Sequence, residues 1–287
     1  MKTLLYSSLL FFNCVVLAQG RFDSVEIKLD QVADQVYMLT GAGGNIALSI
    51  GEDGVFMVDD QFAPLSAKIK KAIASITERE VSFLVNTHFH GDHTGGNANF
   101  AATGAIIVAH DNVRKRLAED PTREGLPVIT FSDDTTFYMN DNDIFITHVH
   151  NAHTDGDALV YFAQSNVLHT GDTFFNGRFP YIDVNRGGSI DGDIAAAQKG
   201  LMLINDETVI IPGHGPKATK TDYKNYLNML RTIRTNVQQA IDQGKTEAQI
   251  AAMASLTNAF FTDEQVANDF INGPKMRKAV FKSLQKN

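Results

Sequence analysis

The chain has 287 residues, 44% of them hydrophobic, with 25 basic against 33 acidic side chains and a formal net charge of −8. A chain of this length builds a core without cross-links, and an acidic balance with no basic run disfavours nucleic acid or an anionic membrane surface as partner. The single cysteine, Cys14, lies in an N-terminal apolar stretch, which leaves the rest of the chain with neither a disulfide nor a thiolate ligand.

In chain order, Met1-Lys2-Thr3, an apolar run from Leu4 to Leu17 and then Ala18-Gln19-Gly20 form the pattern of a signal peptide over residues 1–18, cleaved after Ala18. It predicts a periplasmic or secreted protein and is too short and too polar to span a membrane. Residues 19–287 carry no low-complexity linker and no heptad run, and read as one domain. Short apolar runs bounded by Gly, Asp and Asn predict strands over 36–40, 45–50, 55–59, 81–86, 105–109, 144–149, 158–162, 167–170 and 208–211. Helices are predicted over 64–76, with proline in the first turn and Ile69, Ala72, Ile73 and Ile76 on one face, and over 190–204, 223–241 and 274–284. This alternation implies an α/β fold with ligands gathered at the carboxyl ends of strands. The tail from about 246 to 287 carries Leu256, Phe260, Phe261, Val266, Phe270, Val280 and Phe281. It predicts helices that pack on the domain or cover a second subunit, so monomer and homodimer both stay open.

Residues 88 to 93 read His-Phe-His-Gly-Asp-His, directly after a predicted strand. A lone histidine is usually satisfied by ordinary hydrogen bonds. Three imidazoles and a carboxylate packed this tightly call for a cation. Alternation along an extended segment places His88 and His90 on one side, with Asp92 and His93 pointing elsewhere. These residue types suit zinc and related transition metals, and the two pairs suggest two ions side by side.

The His-x-His-x-Asp-His pattern resembles the signature of the metallo-β-lactamase superfamily. Three companion motifs follow in order: His153 in His-Thr-Asp-Gly-Asp, Asp172 in His-Thr-Gly-Asp-Thr and His214 in Pro-Gly-His-Gly-Pro. The resemblance runs from about Val36 to about Lys245 and implies a four-layer αβ/βα sandwich. It implies one metal held by His88, His90 and His153, a second held by Asp92, His93 and His214, and Asp172 as a bridge. The implied cofactor is two Zn²⁺ ions, with iron as the alternative. The set resembles the dinuclear hydrolases of the glyoxalase II type more than the best-known β-lactamases of the superfamily, many of which place a cysteine near this position.

Two such metals would supply a hydroxide near neutral pH, and Asp92 is the predicted catalytic residue that would orient it. The predicted reaction is hydrolysis of an amide-like, ester or thioester bond in a small molecule. β-Lactam hydrolysis leads, with lactone or thioester hydrolysis as the alternative. An iron-dependent persulfide dioxygenase shares the implied fold, although a secreted address argues against a glutathione-dependent reaction. The acidic charge counts against the nuclease branch of the superfamily. Asp59, ending the predicted strand 55–59, either accepts a hydrogen bond from a ligand imidazole or is a turn residue. Phe175, Arg178 and Tyr181 are the expected substrate contacts, an apolar wall with an arginine for a carboxylate. The segment Gly41-Ala42-Gly43-Gly44-Asn45 lacks the residues of a phosphate cradle and reads as a flexible turn beside the pocket. His110, His148, His150 and His169 fall outside the implied ligand set and read as core or surface histidines.

Overall fold

The structure, a computed structural model, describes residues 20–285; the expected leader and Cys14 lie outside the described residues. A seven-stranded sheet follows chain order: β1 (Lys28–Ala33), β2 (Val36–Thr40), β3 (Ile46–Gly51), β4 (Gly54–Val58), β5 (Val81–Asn86), β6 (Ile106–His110) and β7 (Ile129–Phe131). The pairs from β1 to β4 are antiparallel, and those from β4 to β7 parallel. A second, five-stranded sheet contains β8 (Asp134–Met139), β9 (Asn142–His148), β10 (Ala158–Phe162), β11 (Val167–His169) and β12 (Val209–Ile211), in the order β12-β11-β10-β9-β8. Only its β11–β12 pair is parallel. The helices are α1 (Ser66–Ala74), α2 (Gly91–Thr94), α3 (Asn97–Ala101), α4 (Asp111–Leu117), α5 (Ile190–Leu203), α6 (Lys220–Asp242), α7 (Glu247–Ala252) and α8 (Gly273–Leu284).

Strand alternation explains the layers. In β4, Phe56 and Val58 enter a core shared with Ile144, Ile146, Val160 and Phe162 of the second sheet, whereas Val55 and Met57 join the outer cluster with Ile69 and Ile73 of α1. All four β4 residues are fully buried, which is why the strand reads as a continuous apolar run. On the far side, Leu159 and Leu168 pack with Ala196 and Ala197 of α5 and with Leu230 and Ile233 of α6. Burying each such large aliphatic side chain contributes about 1.5–3 kcal/mol. The product is a four-layer αβ/βα sandwich.

The strands absent from the sequence reading are β1, β7 and β8. Each is an edge strand with exposed or half-exposed positions, so none carries the apolar run of a central strand. Helix α6 starts before residue 223 because Thr219 and Asp222 form a reciprocal capping box that satisfies its first backbone donors. In the tail, Met276 and Val280 of α8 join the core of α5 and α6. Arg277 is fully buried there, donating to Ala251 O, Thr257 Oγ1 and both carboxylate oxygens of Asp263 at 2.6–3.0 Å.

Candidate metal centre

Strand ends deliver the ligand-type side chains to one place. β5 ends at Asn86, two residues before His88. His90, in extended conformation at φ −64° and ψ 148°, then caps the single turn α2 that carries Asp92 and His93. His153 lies in the loop after β9, Asp172 in a tight turn after β11, and His214 after β12. Glycines make the convergence possible at two points: a Cβ on Gly44 would lie 2.1 Å from the His93 ring, and one on Gly213 would lie 2.1 Å from Asp172 Oδ1. The role of Gly44 is therefore close approach, not the flexibility expected of its segment.

Seven residues form two groups. The ligand atoms of His88, His90, His153 and Asp172 lie within 4.8 Å of one another, as do those of Asp92, His93 and His214. Asp172 faces both groups with different oxygens. Its Oδ2 lies 3.7 Å from His88 Nε2 and 3.5 Å from His153 Nε2, and its Oδ1 lies 3.1 Å from His93 Nε2 and 3.3 Å from His214 Nε2. Asp92 Oδ2 is 3.3 Å from His214 Nε2. At the centre, His88 Nε2, His93 Nε2 and Asp172 Oδ1 are buried without a hydrogen-bond partner among the described residues. Donor atoms withheld from ordinary bonding in an all-His/Asp set fit divalent metal.

Behind the cluster, the opposite ring nitrogens are occupied. His93 Nδ1 lies 2.7 Å from Asp59 Oδ2, His90 Nε2 3.1 Å from Asp183 Oδ2, and His88 Nδ1 3.1 Å from Thr87 Oγ1; His153 Nδ1 donates to the carbonyl of Tyr181. Such partners fix the tautomer and aim the other nitrogen inward. Asp59 is fully buried, sits at φ +61°, and also accepts from the Thr87 amide at 2.8 Å and hydroxyl at 2.7 Å. It thus orients His93 as well as ending a strand. Asp183 escaped the sequence reading because it is remote from His90 in the chain, and Thr87, although adjacent to His88, because no sequence signal tells where its hydroxyl points.

Burial lowers the pKa of His88 well below the usual histidine range and that of His153 to about 4. Against the same burial, the neighbouring carboxylates, Asp172 foremost, raise His93 well above its ordinary value and His214 to about 9. Burial also opposes the charge of Asp172, but His214, His93 and His88 together hold its carboxyl well below the usual range. The carboxylates therefore draw positive charge that metal cations would supply by displacing protons.

The cluster opens into a cavity of about 550 Å³ lined in part by His90, Asp92, Asp172 and His214. Phe175, Arg178 and Tyr181 line it too, while Phe174 turns away into the helical core beside Tyr223. The remaining histidines have ordinary surroundings. His110 and His148 stack at 3.7 Å and donate to the carbonyls of Ser132 and Asp157, His169 donates to that of Asn45, and His150 is exposed.

Among proteins of known function, the chain is similar to a hydroxyacylglutathione hydrolase of Polaromonas sp., 29% identical over 59% of this chain and 61% of that one. It is also similar to the 2,4-dinitroanisole O-demethylase subunit alpha of Nocardioides sp., 30% identical over 52% of this chain and 46% of that one. It thus spans less than two thirds of either relative's length. Solved structures with the same fold include a metallo-beta-lactamase from Pontibacter korlensis, at TM-score 0.64 and 19% identity over 72% of this chain and 99% of that one. The sec-alkylsulfatase Pisa1 from Pseudomonas sp. matches at TM-score 0.70 and 15% identity over 89% of this chain and 50% of that one. The sequence profile described as "Metallo-beta-lactamase superfamily" matches residues 39–214, from the second strand to the last histidine of the cluster. Fold, motif order and profile agree: this chain belongs to the metallo-β-lactamase superfamily.

Proposed function

We propose that the chain is a dinuclear zinc hydrolase that cleaves ester or thioester bonds of small molecules. The observation that carries this reading is the placement of Asp172, one oxygen toward each group of histidines. His88, His90 and His153 would hold one ion and Asp92, His93 and His214 the other, with Asp172 shared. When bound, such a pair supplies Lewis acidity and a nucleophile from water near neutral pH.

The chain's own groups do the rest. Asp92, whose side chain is 26% exposed, presents its carboxylate to the cavity, where it would orient the attacking water. Asp59 and Asp183 hold His93 and His90 in the tautomers that aim the inner nitrogens at the centre. Phe175 and Tyr181 exclude water from one wall, and Arg178 meets a substrate carboxylate. The hydroxyacylglutathione hydrolases among the relatives support acyl transfer to water as the reaction class. β-Lactam hydrolysis uses the same groups and is the competing reading. A periplasmic or secreted address, resting on the segment 1–18, is part of the proposal and favours esters and lactones over glutathione conjugates.

The test is a panel of thioesters, aryl esters, lactones and a chromogenic cephalosporin, offered to zinc-loaded protein with a chelator-treated control. Chelator-sensitive turnover of esters or thioesters supports the proposal. Turnover of the cephalosporin alone replaces it with the competing reading, and no turnover by protein holding two ions refutes both. Metal analysis of the protein as isolated separates zinc from iron.

A further inference from the structure

Part of the cavity wall comes from beyond residue 214, where the family profile ends: Asp269, Phe270 and Ile271 line the same space as the metal cluster. Phe270 is 70% exposed, and among the described residues Tyr138 is the one other exposed aromatic. It is nonetheless fixed. Its ring meets Tyr181 edge-on at 5.5 Å, and Tyr181 stacks on His90 at 5.7 Å, so a row of rings leads from the cavity mouth to the cluster. The flanking chain is anchored by buried Val266 and Ile271, by Lys275 Nζ donating to the Phe270 carbonyl at 2.7 Å, and by the grip of Arg277 on Asp263.

Held in this way, the exposed face of Phe270 gains from burial only when something apolar enters the mouth. Charge at the mouth is mixed, with Arg21 and Arg178 against Asp269 and with Lys275 Nζ 5.5 Å from the Phe270 ring centroid, so the remaining apolar surface decides what is retained. We infer that Phe270, with Tyr181, is a specificity-determining residue that selects substrates carrying an alkyl or aryl group over small polar ones. The inference deepens the hydrolase reading above, which supplies the reaction, but the binding surface stands apart from it.

The test measures binding of acetate, butyrate, hexanoate and octanoate to the zinc-loaded full chain by calorimetry, in wild type and in Phe270→Ala and Phe270→Leu. Wild-type affinity should rise by roughly tenfold or more from butyrate to octanoate, since buried methylenes are the source of the gain. Phe270→Ala should weaken octanoate by roughly tenfold and acetate by less than about twofold, and Phe270→Leu should restore part of the octanoate affinity. The melting temperature should stay unchanged, because the ring is already exposed. Equal losses for every chain length, or none, would overturn the inference. Absence of ester, thioester and lactam turnover with chain-length selection intact would refute the hydrolase reading alone.

Discussion

Around Arg277 a fully buried cation meets carbonyl, hydroxyl and carboxylate partners from its own tail, and every contact is a formed hydrogen bond. Around Asp172 a buried carboxylate meets four imidazoles at 3.1–3.7 Å, and among the described residues three central ligand-type atoms have no hydrogen-bond partner. Both regions bear the desolvation cost of buried charge. The first recovers it within the fold and secures the tail. The second leaves it to be recovered by a ligand, and that contrast separates a structural ion cluster from a binding site better than burial or charge alone.

The largest effect should come from the cavity side of the metal cluster. Asp92→Ala should lower kcat by roughly 10²–10⁴-fold and weaken one metal, checked by steady-state kinetics with metal analysis. Unchanged turnover would remove Asp92 from the mechanism. Arg277→Met should destabilise the fold by about 3 kcal/mol in denaturant titration, toward the low end for a broken buried pair because Asp263 is 36% exposed, yet leave metal stoichiometry alone. Loss of metal in that variant would collapse the distinction between the two regions. Asp59→Ala should weaken metal affinity by roughly 10- to 100-fold through His93, with little change in ions bound at saturation.

A smaller effect comes from Asp193, whose two oxygens are buried without hydrogen-bond partners among the described residues. Burial raises its carboxyl well above the ordinary 3.8, so the folded chain holds this proton more tightly than the unfolded one. That contribution is full below about pH 3.8 and is lost as pH rises. Asp193→Asn should therefore gain on wild type as pH rises above about 3.8, the gain levelling off once the wild-type carboxyl ionises in the folded state, as read by denaturant titration across pH. A difference independent of pH would show that Asp193 is ionised in both states.

What was readable in the sequence was what depends on neighbours along the chain. His88 to His93 announce themselves by spacing, and His153, Asp172 and His214 by short motifs at strand ends. The central strands show through their apolar runs, while β1, β7 and β8 hide because these edge strands are exposed or half-exposed along most of their length. Asp183 becomes a partner of His90 only once tertiary structure brings the two together, whereas Thr87 adjoins His88 and becomes its partner through side-chain orientation. Gly44 looks like a turn residue until the His93 ring is found against it. Phe270 reads as one more tail aromatic, and its place at the cavity depends on the anchoring of the whole segment.

The central claim is that Asp172 joins two metal sites, and titration of metal-free protein with zinc, followed by calorimetry and metal analysis, tests it most directly. Wild type should take up two ions per chain and release protons near pH 7, because His214 at about 9 carries one before metal binds. Asp172→Ala should lose tight binding at both groups. A single tight ion in wild type, or two retained by Asp172→Ala, would contradict the account.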